Sequence, residues 1–154
     1  MKNLARFITL LFAVITLSAL LSHLLELPGK LELSKENYQA VQSIYGDWIL
    51  MVFVEGVSLV LTVYLAIIER RKKRTRNLLV VASSLFLISI IVFFIFTIPI
   101  DKATDNWSVL PADWETLRNQ WEYSYAGRAL LNLTGFCFLV LGVLKKKNQY
   151  SFVV

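Results

Sequence analysis

Apolar residues fall into four runs along this chain, Leu4–Leu25, Trp48–Ile68, Leu78–Ile98 and Ala129–Leu144, and most of the charges lie between them. A helix rises about 1.5 Å per residue, so about 20 apolar residues cross a hydrocarbon core of about 30 Å. Backbone amides in lipid must be satisfied within their own segment, which makes each run a helix. The fourth run has only 16 residues, or about 24 Å of helix, too little for the core. Its boundary therefore moves up, and the expected spans are 4–25, 48–68, 78–98 and 125–144.

The connections divide into two similar halves. Pro28 and Pro99 each follow a span, and a missing amide with a ring clash predicts a helix stop at both. Ser34 is placed to cap a helix that runs through Tyr38, Gln42, Tyr45 and Trp48 straight into the second span. Pro111 and Asp113 open another, through Trp114, Trp121 and Tyr123 into the fourth. The expected fold is all-α. It is a four-transmembrane-helix bundle in one domain, 1–154, with two long helices extending into an extracytoplasmic cap.

The net charge of +5 changes meaning once the charges are placed. Eleven of the 16 basic residues sit in three places: the N-terminus, the loop Arg70–Arg76 and the C-terminal Lys145–Lys147. The other two connections hold five, against nine carboxylates. Basic loops remain cytoplasmic, so both termini are expected on the cytoplasmic side and the two aromatic loops outside. The excess is a topology signal with some affinity for anionic lipid, not a nucleic-acid footprint. Lys2 and Arg6 before an apolar stretch resemble a signal peptide, but the run continues to Leu25 with no small-residue cleavage site. It is expected to be a retained span. Cys137 is alone in the chain and reads as a small packing residue.

Candidate chemistry gathers in the outer half. At 100° per residue, Trp114, Arg118, Trp121, Glu122, Tyr125, Arg128, Ala129 and Asn132 share one side of the fourth helix. Glu55 interrupts an otherwise apolar helix about 10 Å below Trp48, where a carboxylate must be protonated, paired or wet. It is expected to face the bundle interior within reach of Tyr125, Arg128 or Asn132. His23 and Glu26 stand one turn apart. A single His and a single Cys exclude closed zinc, bis-His haem and c-type haem sites within one chain. A carboxylate-rich iron or manganese set of His23, Glu26, Glu55 and Glu122 stays conceivable on residue type; the expectation is no metal and no cofactor. Inner-half spans contribute only hydroxyls, which argues against a channel or a midplane transporter. An interfacial aromatic belt with a structural ion pair accounts for many of the same residues.

One family resemblance covers nearly the whole chain. His23-Leu-Leu-Glu-Leu-Pro-Gly-Lys30, then Tyr38-Gln-Ala-Val-Gln-Ser-Ile-Tyr45 with Trp48, resembles the bacterial branch of the anthrone-oxygenase-like integral membrane family, a domain of unknown function. Asn106-Trp107, Pro111-Ala-Asp-Trp114-Glu-Thr-Leu-Arg118 and Trp121-Glu-Tyr-Ser-Tyr-Ala126 extend the likeness. The resemblance implies oxygenation of anthrones to anthraquinones without a recognised cofactor. Such proteins have His where this chain has Tyr125 and Asn where it has Asp101.

The expected function is an outward-facing pocket for a small apolar or aromatic molecule. Tyr38, Tyr45, Trp48, Trp107, Trp114 and Trp121 would line it, with Glu26, Arg128 and Asn132 as polar points. If the protein is an enzyme, Glu55 or Glu122 would act as base and His23 as acid or oxyanion partner, with Tyr125 beside them. Expected partners are the lipid bilayer, a small aromatic or lipid-like ligand, and a second copy or another membrane protein. The competing class is a non-catalytic module that binds lipid or quinone or supports a membrane complex.

Overall fold

The computed structural model describes residues 2–45 and 49–144. Among them the chain is helical: α1 Lys2–Leu31, α2 Lys35–Gln42, α3 Ile49–Ile68, α4 Lys73–Val92, α5 Ile98–Ala103 and α6 Trp114–Val143. A 3₁₀ turn, Ser43–Tyr45, follows α2, and a π turn, Phe93–Thr97, joins α4 to α5 in one rod. Four helical segments are long and apolar enough to cross a membrane: α1, Leu50–Ile68, the α4–α5 rod and α6.

α6 packs on α4 and α1, and α3 packs on the same two, so the order around the bundle is α1, α3, α4, α6. The closest approach is between α4 and α6. A Cβ built on Gly135 would lie 2.7 Å from the Phe86 ring, and one on Gly142 3.1 Å from Leu79. Absent side chains let backbones meet where lipid offers no hydrophobic drive to association. Ala13, Leu65, Leu79, Ala82, Phe86 and Leu139 fill the core toward the Arg70–Arg76 loop. Leu20, Tyr38, Ile100, Trp107, Trp121 and Tyr125 fill it at the opposite, aromatic end. Large apolar side chains such as Phe7, Phe53, Ile67, Phe94 and Leu141 point outward. That inversion suits a lipid solvent.

Both proline stops are overturned. α1 runs through Pro28 to Leu31. The ring removes one backbone bond, but the turn beyond it is held by side chains: Lys30 Nζ lies 3.0 Å from Glu26 and 3.7 Å from Glu122. The rod likewise runs through Pro99 to Ala103. Here the preceding turn has already slipped to π register, with the Ile98 amide donating to Phe93 O, five residues back. The slip falls where proline would otherwise leave a gap in the α ladder.

The expected uninterrupted helix from the first cap into the second span is divided. Ser34 caps α2 through the Asn37 amide, as its sequence position predicts, but α2 ends at Gln42 and tightens into the 3₁₀ turn. Trp48, assigned to the pocket from sequence, lies outside the described residues. α6 opens at Trp114 and continues to Val143 as expected.

Candidate functional site

The predicted polar face of α6 is buried. Arg118, Trp121, Glu122, Tyr125, Arg128, Ala129 and Asn132 are all closed to solvent, and Trp114 at its edge is half-buried. It meets two sets of partners at two depths.

The deeper set centres on Glu55, which is fully buried. Arg128 Nη2 donates to its Oε2 at 2.7 Å, and Asn132 Nδ2 donates to its Oε1 at 2.8 Å. Asn132 Nδ2 also lies 2.7 Å from Ser89 Oγ on α4, so three helices are tied at one level. The Arg128 guanidinium stands 4.7 Å from the Phe93 ring centre and 5.0 Å from that of Tyr125. Two ring faces offset part of its desolvation. Its Nε and Nη1 have no hydrogen-bond acceptor among the described residues.

The shallower set centres on Lys30, which is 4% exposed. Its ammonium reaches Glu26 and Glu122 and lies 3.2 Å from His23 Nδ1. An ammonium only donates, so His23 accepts through Nδ1. Tyr45 covers the same ammonium at 4.3 Å and donates its hydroxyl to Glu26. Tyr38 donates to Glu122 at 3.0 Å and accepts from Gln42. Burial, then the Glu122 carboxylate, pushes the Tyr38 phenol far above its ordinary value. Burial and the bond to Glu26 raise Tyr45. Both therefore act as neutral donors at physiological pH. The His23 ring packs on Tyr125 at 4.3 Å and on Tyr45 at 4.6 Å.

Beside these sets lies a cleft of about 310 Å³, lined by Gln42, Tyr45, Phe93, Ile98, Asp101, Lys102, Asp105, Asn106, Trp107 and Tyr125. Its walls use two unusual pieces of backbone. One is the π turn, which supplies Phe93. The other is the run Asp105, Asn106, Trp107, all with positive φ (48°, 51° and 65°). A left-handed residue costs about 1–2 kcal/mol outside glycine, and bulky Trp107 is the true outlier of the three. The turn is held by Asn106 N donating to Asp101 O at 2.7 Å and Trp107 N donating to Thr104 Oγ1 at 3.1 Å. Asp101, half-buried, accepts from Trp121 Nε1 at 2.8 Å. A second void, about 10 Å³, lies on the other side of Tyr125 against His23, Glu55 and Arg128. Tyr125 is the side chain common to both.

Of the sequence-assigned residues, Tyr45, Trp107 and Tyr125 line the cleft. His23, Glu26, Tyr38 and Glu122 belong to the Lys30 cluster behind it, and Glu55, Arg128 and Asn132 to the deeper one. Trp121 bridges to the cleft through Asp101; Trp114 stacks over Arg118 at 4.8 Å, away from it. The set His23, Glu26, Glu55 and Glu122 does not form a metal-binding group, and no three His, Cys, Asp or Glu side chains do so among the described residues. Sequence reasoning passed over Lys30, Gln42, Phe93, Asp101, Lys102 and Asp105 as site residues. Lys30 had a signal: it is four residues from Glu26 and seven from His23, one helical face once Pro28 is not a stop.

Compared with known proteins, the chain matches no protein-family model, no curated protein and no solved structure.

Proposed function

We propose that this membrane protein binds a small, flat, largely apolar molecule with a polar edge in the cleft between α2, α5 and α6. We further propose that the molecule is oxygenated there at an acidic C–H, as in the anthrone-type oxygenases its sequence resembles. The observation that carries the reading is the cleft itself. Tyr45, Phe93, Trp107 and Tyr125 share its lining with the polar Gln42, Asp101, Lys102, Asp105 and Asn106, part of it on strained backbone. Aromatic faces and fixed polar groups converging on one concavity are features of a small-molecule site.

In this reading Asp101, which lines the cleft, takes a proton from the bound molecule, and the Tyr125 phenol donates to the oxyanion that forms. Abstraction leaves a delocalised carbanion. Dioxygen then adds at that carbon, and loss of water from the hydroperoxide leaves a ketone, so one CH₂ and one O₂ become one C=O and one H₂O. Both positions at which the chain departs from the family pattern, Asp101 and Tyr125, line this cleft. The aromatic end faces outward from a bacterial inner membrane in this reading, and both termini face the cytoplasm.

A second reading, a non-catalytic membrane module, is favoured by one observation. Glu55 and Glu122 are each bonded to partners on other helices, as in a purely structural network. Oxygen consumption with an anthrone separates the two. Asp101→Asn and Tyr125→Phe keep shape, and loss of either proton function should slow turnover by about 10²–10⁴. Turnover that survives both changes rules out this acid–base assignment. Failure of any aromatic ligand to quench the tryptophan fluorescence, in wild type as in Trp107→Phe, leaves the module as the better account.

A further inference from the structure

The opposite end of the bundle carries a second concavity, unrelated to the cleft. Between α3 and α4 runs a groove of about 380 Å³ with Val63, Ala66, Ile67 and Val80 in its walls and Arg70 and Arg76 at its mouth. The walls are lipid-facing: Val63, Ile67 and Val80 are each 40% or more exposed. The carboxylate just before the loop, Glu69, is already taken, by Arg6 at 2.6 Å and Lys72 at 2.8 Å. Hydrogen bonds from Lys72 and then Arg6 hold it below the usual carboxylate range, so it stays an anion committed to them. Among the described residues Arg70 has no ion-pair partner, and the Arg76 guanidinium donates only to the neutral Asn77 amide. α4 starts at Lys73 with no side-chain cap and no acid in its first turn, leaving its positive end uncompensated too.

We infer that this groove is a binding site for one anionic phospholipid, its phosphate between Arg70 and Arg76 and an acyl chain along α3 and α4. Charge complementarity selects the occupant. Two guanidiniums suit a phosphate diester geometrically, while an apolar trough continuing from them into the hydrocarbon layer suits only a ligand with a tail. A free phosphate would use the mouth and leave the trough idle.

The full chain in detergent, titrated with phosphatidylglycerol and followed by native mass spectrometry, tests this. One phosphatidylglycerol should be retained per chain, in preference to phosphatidylcholine. Arg70→Gln with Arg76→Gln should weaken retention by about 30-fold, about fivefold for each arginine. Arg71→Gln with Arg74→Gln removes the same charge outside this groove and should weaken retention distinctly less, because charges farther from the bound phosphate are screened by salt. Val63→Trp fills the trough without touching charge and should also displace the lipid. Equal losses from the two arginine pairs would reduce the site to a diffuse basic surface and overturn the inference. So would retention unaffected by Val63→Trp, or competition by inorganic phosphate at the lipid's own concentration.

Discussion

Three buried cations, Lys30, Arg118 and Arg128, lie at the aromatic end, and Arg128 gives the clearest test. Among the described residues Arg128 is ion-paired with Glu55 alone, so Arg128→Met leaves a fully buried carboxylate without its counter-ion. Breaking such a pair costs about 3–5 kcal/mol, whereas replacing both partners costs far less. Arg128→Met should therefore lower the thermal midpoint sharply in detergent, and adding Glu55→Gln should restore most of the loss. A double variant no better than Arg128→Met would mean that the pair is not coupled as the 2.7 Å bond implies. Tyr38 gives a pH signature. Its raised phenol holds the proton more tightly in the folded state. The folded state thus binds more protons than the unfolded one above about pH 10, where a free tyrosine ionises, and stability falls as pH rises past that value. Tyr38→Phe should flatten this alkaline limb; an unchanged slope in unfolding scans between pH 9 and about pH 11 contradicts the burial of the phenol against Glu122.

Among the elements, α4 and α6 form the tightest seam, and their glycines are not equivalent. Gly135→Ala would drive a methyl to 2.7 Å from the Phe86 ring, a core side chain with 1% exposure and little room to move. Overpacking of this kind costs about 1–3 kcal/mol. Gly127→Ala on the same helix meets nothing within 4 Å and should stabilise by about 0.5–1 kcal/mol through helix propensity. Thermal midpoints moving in opposite directions are the expected outcome; two equal shifts would argue against the seam. The α4–α5 rod shows a different economy. Its π turn lets Pro99 sit inside a continuous rod and turns Phe93 onto Arg128 and into the cleft wall. One register slip thus serves the proline, the buried guanidinium and the cleft together.

For the molecule as a whole, the two ends differ in kind. The Arg70–Arg76 end is a cationic rim on an apolar bundle, and the aromatic end is a bonded network with a cleft beside it. The charge asymmetry sets the expected orientation. Ser108→Cys, on an exposed turn of the aromatic end, should react with a membrane-impermeant maleimide in intact cells. Arg71→Cys should react only after lysis. Labelling of Arg71→Cys from outside would invert the topology and place the cleft toward the cytoplasm.

How much of this was legible in the residues differs by feature. Spans, the Ser34 cap, the start of α6 and the buried face from Arg118 to Asn132 follow from periodicity and local chemistry, which act within a few residues. The burial of Glu55 against Arg128 and Asn132 was also legible, because an acid in hydrocarbon has few alternatives. The path of the chain through Pro28 was not. A proline's local penalty argues for a stop, and only the contacts of Lys30 with Glu26 and His23 on its own helix, and with Glu122 through the packing of α1 on α6, outweigh it. The cleft was hidden for the same reason. Asp101, Asp105 and Phe93 carry no pattern of their own and become a wall only when a π turn and three left-handed residues fold against α2 and α6. Sequence by itself determined which faces had to be buried and which ends had to be charged, since solvation acts on each residue where it stands. Which buried groups meet, and where space is left between them, only the tertiary structure decided, because those distances depend on all the helices at once.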